Sequence, residues 1–198
     1  MTSDADLQPK VSAQYQALAL RMAPLSDADW ATPSLCEGWR IREVVAHLTM
    51  PARYDQEAFM TELRSHDFDF GRLSNNIAAR DGQLPIERLV ADLRSEQLHH
   101  WAPPEGGYVG ALNHVVIHGL DVTVPLGAES VTPRDVALIV LNQMTEGGGH
   151  QHFGVQIEGK RLEATDVDWA WGEGPVVRGT VSQLILVLSG RSSEPDRD

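Results

Sequence analysis

Two histidines four residues apart stand in an apolar segment, "LNHVVIHGLDV", which covers residues 112–122. On a helix, His114 and His118 would point the same way with Cβ atoms about 5–6 Å apart, so both imidazoles could reach one metal ion. The H-E-x-x-H metallopeptidase motif has the same histidine spacing. Here Val115 follows His114, so the general-base glutamate of that motif is absent. The pair therefore indicates a metal site but argues against a peptidase.

A third metal ligand is available on another predicted helix, in which His47 lies beside the apolar stripe of "IREVVAHLTM". Helical bundles commonly build metal sites from inward-facing side chains on facing helices. Three imidazoles also leave coordination positions for water or substrate, as catalytic sites require. Asp121 is spaced to accept a ring N–H of His118, and Glu43 is spaced to do the same for His47.

The alternative to a metal site is a set of ordinary core or surface histidines, because H-x-x-x-H recurs by chance. His99 and His100 are adjacent and diverge on a helix, so we expect both at the surface, and His66 is expected in a polar loop. His150 and His152 form an H-x-H that can bind metal from a strand, and they are the backup ligand pair.

Hydrophobic periodicity predicts the helices that must position these residues. An apolar residue recurs every three or four positions, and proline or glycine clusters separate the runs. The predicted helices cover 7–23, 40–63 with a kink at Pro51, 73–80, 85–101, 108–124 and 133–145.

The pattern changes after residue 149, where short β-rich segments alternate with glycine and aspartate turns. The predicted strands lie in "FGVQIEG", "KRLEATD", "VDWAW" and "PVVRGT", and a closing helix lies in "VSQLILVLSG". We therefore expect a mainly α protein with an all-α part over 1–149, a small α/β part over 150–192 and a frayed tail over 193–198.

Composition and charge limit the classes of partner. The chain has 198 residues, 42% of them hydrophobic, and a formal net charge of −12. A surface this acidic repels phosphate groups, which argues against nucleic acid and against an anionic membrane surface. We find no signal peptide, and no apolar run reaches the roughly 18 residues of a membrane helix. A single cysteine excludes a disulfide framework within the chain and favours the cytoplasm.

Three segments together resemble the mycothiol-dependent maleylpyruvate isomerase family, part of the DinB-like superfamily. "TPSLCEGWRIREVVAHL" is similar to its N-terminal signature, and "NHVVIHGLDV" is similar to its second metal-ligand segment. "ATDVDWAWGEGPVVRGTVSQLILVLSGR" is similar to its C-terminal domain signature. The three segments fall in the same order as in the family and span nearly the whole chain.

The resemblance implies a DinB-like four-helix bundle with a divalent metal on His47, His114 and His118, followed by a small C-terminal α/β domain. It also reveals a departure, because the isomerase has glutamate where this chain has His114. A three-histidine set looks more like other DinB-like proteins. Neutral imidazole in place of carboxylate makes the site more positive by one charge, which favours an anionic ligand such as thiolate or hydroxide.

Three further residues have side chains that could act at the site. Cys36 is expected to be buried and inert. Arg178 and Arg191 could clamp a substrate carboxylate. For Arg178 we favour a structural ion pair with Glu173 or Asp168.

The candidate ligands predict a zinc site, with nickel as the alternative metal. The resemblance further implies an enzyme that uses a low-molecular-weight thiol such as mycothiol. The reaction would be isomerisation of a small electrophilic substrate or thiol transfer to it, and no separate general base is identified. The alternatives are a non-catalytic metal- or ligand-binding DinB-like protein and a hydrolase that uses metal-activated water. A homodimer is the candidate assembly.

Overall fold

The structure, a computed structural model, describes residues 4–192. The chain forms two compact units, the first ending at Val131 and the second beginning at Thr132. The tail over 193–198, which the sequence predicts to fray, lies outside the described residues. Within the described range, no helix is both long and apolar enough to cross a lipid bilayer.

Within the described residues, the first unit is built mainly from helices and contains a four-helix bundle. Its helices are α1 (Asp4–Met22), α2 (Asp27–Trp30), α3 (Ile41–Leu48), α4 (Gln56–Ser65), α5 (Phe70–Asp81), α6 (Ile86–Leu93), α7 (Glu96–His99) and α8 (Gly107–Thr123). Helices α1 and α3 each pack against both α6 and α8, which closes a ring of four helices. Helix α5 also packs against α3.

Apolar residues at helical spacing explain the packing of this bundle. Each fully buried aliphatic or aromatic side chain stabilises the fold by about 1.5–3 kcal/mol relative to exposure. Helix α1 has a single apolar face, which packs into the bundle, and α3 is apolar on most of its circumference. The buried apolar residues of these two helices include Leu7, Val11, Tyr15, Leu18, Met22, Ile41, Val44, Val45 and Leu48.

A buried ion network fixes the C-terminal end of α3. Arg53, which follows a 3₁₀ turn over Met50–Ala52, donates from Nε to Asp81 at 3.0 Å and from Nη1 to Asp92 at 2.8 Å. Nη1 also donates to Thr49 Oγ1 at 2.7 Å. All three charged side chains are 8% exposed, so water screens their ion pairs little. The network ties the end of α3 to α5 and α6.

Two long helices predicted from the sequence are each divided by a capping residue. The segment 85–101 separates into α6 and α7, because Ser95 Oγ accepts from the Leu98 N–H at 3.5 Å and starts a new helix. The segment 40–63 separates into α3 and α4, because a 3₁₀ turn that contains Pro51 follows α3 and Asp55 then caps the Ala58 N–H at 2.8 Å to begin α4. Side-chain caps compete with continuation of the helix, and apolar periodicity does not report them.

The second unit combines two helices with a small sheet. It contains α9 (Arg134–Thr145), a 3₁₀ helix (Gly149–Phe153), β1 (Arg161–Ala164), β2 (Ala170–Gly172), β3 (Val176–Gly179) and α10 (Val181–Leu188). The strand order is β2-β1-β3, with β1 antiparallel to β2 and parallel to β3. Helices α9 and α10 pack against each other.

This arrangement differs from the sequence prediction in two places. The segment "FGVQIEG" is not a strand, because Phe153 ends the 3₁₀ helix and Gly154 and Gly159 both adopt positive φ. Helix α9 belongs to the second unit, so the division of the chain falls before this helix and not after residue 149. The apolar face of α9 packs on α10, a contact between segments far apart in sequence.

Candidate metal centre

Three histidine rings meet where α3 packs against α8. The ring centroids of His47 and His114 are 5.0 Å apart, those of His47 and His118 5.0 Å, and those of His114 and His118 4.9 Å. The interplanar angles are 77°, 73° and 88°. The rings therefore form a nearly equilateral triangle with each ring edge-on to the next, and we call these three residues the histidine triad.

The spacing of the triad fits one metal ion. One ligand nitrogen from each histidine lies within 4.8 Å of the other two, and the Nε2 atoms of His47 and His114 are 2.9 Å apart. At a zinc–nitrogen distance of about 2.0–2.1 Å and tetrahedral angles, imidazole centroids stand roughly 5.2 Å apart. The observed centroid distances are close to this value, so the donor set and the spacing of the rings suit a single divalent ion held by three nitrogens.

Two triad histidines have their second ring nitrogen held by the protein. His118 Nδ1 lies 2.8 Å from Asp121 Oδ2, and Asp121 is fully buried. His47 Nδ1 lies 2.9 Å from Ser74 Oγ, which α5 supplies. Metal-binding histidines typically donate their other N–H to such a partner, which fixes the tautomer and the ring orientation. In both residues this arrangement leaves Nε2 to face the position between the three rings, where one ion would bind.

Ser74 makes the contact with His47 that helical spacing predicts for Glu43. Glu43 lies in the first turn of α3 and accepts from the Arg40 N–H at 2.8 Å and from Arg40 Nε at 3.0 Å. Helical side chains lean toward the N-terminus of their helix, so the carboxylate reaches back to Arg40, away from His47.

The triad is shielded at two residues and opens at the third. His47 is 6% exposed and His118 9%, whereas His114 is half-buried. The ring centroids of Trp39 and His47 are 5.1 Å apart, and those of Trp101 and His114 are 6.0 Å apart. A ligand from solvent would therefore reach the position between the three rings by passing His114.

Cys36 contacts the residues that orient the triad, although the sequence predicts it to be buried and inert. Its side chain is partly buried, and Sγ donates to Asp121 Oδ2 at 3.1 Å. Sγ also lies 3.8 Å from His118 Nδ1. Cys36 belongs to the segment "TPSLCEGWRIREVVAHL", so its proximity to the site could have been inferred from that segment. Ser74 had no such signal, because only the packing of α5 on α3 brings it to His47.

His99 is buried, so its predicted surface position is wrong. It is 4% exposed, its Nε2 lies 3.0 Å from the Leu93 carbonyl oxygen, and its ring stacks on Tyr15 with centroids 6.2 Å apart. Burial also raises the pKa of the Tyr15 hydroxyl well above its ordinary value. His100, in contrast, is 63% exposed at its side chain.

The backup pair His150 and His152 has a structural environment. The two residues lie on a 3₁₀ helix and not on a strand. His150 is buried with Nδ1 2.7 Å from the Met144 carbonyl oxygen, whereas His152 is exposed. Among the described residues, the groups with metal-ligand spacing are the histidine triad and the set of Cys36, His118 and Asp121.

Arg178 forms an ion pair within the sheet of the second unit. Its Nε donates to Glu163 Oε2 at 2.8 Å. Glu163 and Arg178 are register partners on β1 and β3, so the structure corrects the predicted partners Glu173 and Asp168. Hydrogen bonds from Arg161 and then Arg178 lower the pKa of the Glu163 carboxyl.

Arg191 contacts its own segment of the second unit. Nη1 donates to the Ser189 carbonyl oxygen at 2.7 Å, and the guanidinium lies 5.0 Å from the centroid of the Phe153 ring. Binding of a substrate carboxylate by Arg178 and Arg191 stays a prediction.

A four-helix bundle with three histidines that converge between its helices defines a class of helical proteins with a candidate metal site in the bundle. Comparison with known proteins identifies the fold and the domain. Residues 11–98 match the family described as "Mycothiol maleylpyruvate isomerase N-terminal domain". The family resemblance expected from the sequence is thereby confirmed, and this part of the chain carries that domain.

Solved structures extend the similarity to the whole fold. A crystal structure of the mycothiol-dependent maleylpyruvate isomerase matches with a TM-score of 0.60 and 18% identity, over 98% of this chain and 93% of that chain. A histidine-to-alanine mutant of that isomerase matches with the same values. Curated protein sequences contain no significant match. At this identity the match establishes the fold, a mainly α protein with a helical bundle and a small C-terminal α/β unit.

We predict that His114→Ala or His118→Ala abolishes high-affinity zinc binding, because each removes one of three converging nitrogens. The loss should exceed the roughly 10–100-fold typical of losing a partner of a ligand. Zinc affinity measured by competition with a chromophoric chelator checks this. His100→Ala is the matched control, since its ring is exposed, and it should bind zinc like the parent. Unchanged zinc affinity in the two triad variants would contradict the site.

We also predict that Ser74→Ala weakens zinc binding by about 10–100-fold, because His47 loses the acceptor that orients its ring. Ser65→Ala is the control, since Ser65 Oγ lies 2.9 Å from His66 Nδ1 in an exposed pair elsewhere. The same chelator competition measures both variants. Equal zinc affinity in Ser74→Ala and Ser65→Ala would mean that Ser74 does not support the ligand.

Proposed function

We propose that this protein is a metal-dependent enzyme that uses a low-molecular-weight thiol, mycothiol or a close analogue, to act on a small electrophilic substrate. The observation that carries the proposal is the convergence of three imidazoles with a spacing suited to one ion. The family of the N-terminal domain supports the thiol and the reaction type, isomerisation or thiol transfer. A free thiol cosubstrate requires a reducing compartment, so we place the protein in the cytoplasm.

Zinc is the proposed metal, with nickel as the alternative, because imidazole ligands suit both. His47, His114 and His118 would hold it through Nε2. When bound there, a divalent ion lowers the pKa of a coordinated thiol and favours its thiolate form, the attacking nucleophile.

The chain's own residues would supply orientation and access. Asp121 holds His118 from behind, at 2.8 Å, and Ser74 holds His47, at 2.9 Å. Because the three ligands are neutral, the site keeps the full charge of its ion, which favours an anionic ligand over a neutral one. The half-buried side at His114 is the proposed entry for the thiol and the electrophile.

An assay that follows both thiol loss and conversion of the electrophile tests this function against its alternatives, because isomerisation releases the thiol again whereas thiol transfer consumes it. Protein purified without a histidine tag is analysed for metal, loaded with zinc and incubated with a low-molecular-weight thiol and an electrophile such as maleylpyruvate. We expect turnover that requires the thiol, stops on chelation and returns with zinc, and that His118→Ala lacks.

Two results would contradict the proposed function. Metal binding without turnover of any thiol and electrophile pair would favour a non-catalytic binding protein. Zinc-dependent ester or amide hydrolysis without thiol would favour a hydrolase built on the same three histidines.

We predict that His114→Glu retains zinc but binds thiols more weakly than the parent. A carboxylate is a competent zinc ligand and, at this spacing, can reach the same ion as His118. Its negative charge opposes a thiolate beside it, since unit charges about 4 Å apart interact by about 4 kcal/mol at an effective dielectric constant of about 20. Thiol affinity is measured against pH for both proteins, each loaded with zinc.

The expected difference is a weaker affinity near neutral pH in His114→Glu, with binding recovered as pH rises and more thiolate forms. Identical pH profiles would mean that the thiol does not contact the metal. His100→Glu, which adds the same charge at an exposed position, controls for net charge.

A further inference from the structure

The segment before α3 is a loop with a fixed internal structure, residues 32–40, which we call the ligand loop. Pro33 and Arg40 form an isolated β-bridge at its two ends. The Ser34 N–H donates to the Trp39 carbonyl oxygen at 2.9 Å, and Ser34 Oγ accepts from the Cys36 N–H at 3.1 Å. The backbone of Cys36 is therefore held in place independently of its side chain.

The ligand loop is attached to α8 twice at one residue, Asp121. The Leu35 N–H donates to the Asp121 carbonyl oxygen at 3.3 Å, and Cys36 Sγ donates to Asp121 Oδ2 at 3.1 Å. The same Oδ2 lies 2.8 Å from His118 Nδ1. Asp121 is 0% exposed, so its orientation depends on the donors that the protein brings to it.

We propose that Cys36 is a positioning residue for the metal site. Its thiol fixes the carboxylate of Asp121, which in turn fixes the ring of His118 and the direction of its Nε2. This inference rests on the metal site of the proposed function, although not on the thiol reaction. It assigns to the Cys36, His118 and Asp121 group the task of orienting a ligand, as distinct from binding a second ion.

The chemistry of the donor determines the expected order of variants. A thiol is a weak donor, and a hydroxyl can donate to the same carboxylate oxygen. Cys36→Ser therefore keeps a donor in a side chain of similar shape. Cys36→Ala removes the donor and leaves a buried carboxylate with one contact fewer, which frees Asp121 to change its rotamer.

The test combines zinc affinity with the visible spectrum of the Co²⁺-substituted protein, which reports ligand geometry. Cys36→Ala should weaken zinc binding on the order of threefold to tenfold, less than the 10–100-fold typical of a direct partner of a ligand. It should also shift the Co²⁺ absorption bands. Cys36→Ser should restore zinc affinity to within about twofold and return the bands to the parent positions, since it keeps a donor.

A double-mutant cycle with Asp121→Asn separates positioning from a general packing effect. If Cys36 acts through Asp121, adding Cys36→Ala to Asp121→Asn should cause little further loss of zinc affinity. Unfolding curves of all variants show whether each one is folded at the assay temperature. Additive losses in the cycle would overturn the inference, because Cys36 would then act independently of Asp121.

The remaining outcomes distinguish this inference from the proposed function. A parent that binds no metal would overturn both. A parent that binds one zinc, with Cys36→Ala unchanged in affinity and Co²⁺ spectrum, would overturn the positioning role alone. Two zinc equivalents in the parent that fall to one in Cys36→Ala would also overturn it, because Cys36 would be a ligand itself. Zinc binding with the expected Cys36 effects, but without thiol turnover, would support this inference and reject the proposed reaction.

Discussion

The candidate metal site depends on holding three imidazole rings within about 5 Å of one another between two helices. His114 and His118 share a face of α8 because of helical geometry, but His47 reaches them only if α3 keeps its position against α8. The closed ring of α1, α3, α6 and α8 provides that position. Arg53 ties the end of α3 to acidic residues of α5 and α6. These ion pairs restrict movement of α3, and with it His47, along the helix axis.

The contacts behind the rings complete the geometry that the helices begin. Asp121 and Ser74 use the outer nitrogens of His118 and His47, and thereby leave the inner nitrogens to converge. The carboxylate of Asp121 contacts the ligand His118 and does not bind the proposed ion itself. A neutral inner ligand set with a charged outer partner keeps the ion strongly electrophilic while orienting its ligands.

What the sequence predicts well is local. The pairing of His114 with His118 follows from a four-residue spacing, and the main helices follow from apolar periodicity. His47 is predictable because it lies beside an apolar stripe that must face the bundle. Ser74 is not predictable, because its contact with His47 exists only through the packing of α5 on α3. The predicted contact of Glu43 with His47 is wrong, because spacing on a helix does not state which way a side chain leans.

The most direct test of the histidine site is X-ray absorption at the zinc edge, recorded for zinc-loaded protein with and without a low-molecular-weight thiol. Without thiol, we expect three imidazole nitrogens at about 2.0–2.1 Å and no sulfur scatterer. With thiol, we expect one sulfur at about 2.3 Å beside the same three nitrogens. Sulfur in the absence of added thiol would make Cys36 a ligand, and a spectrum without imidazole scattering would exclude the histidine triad as the metal site.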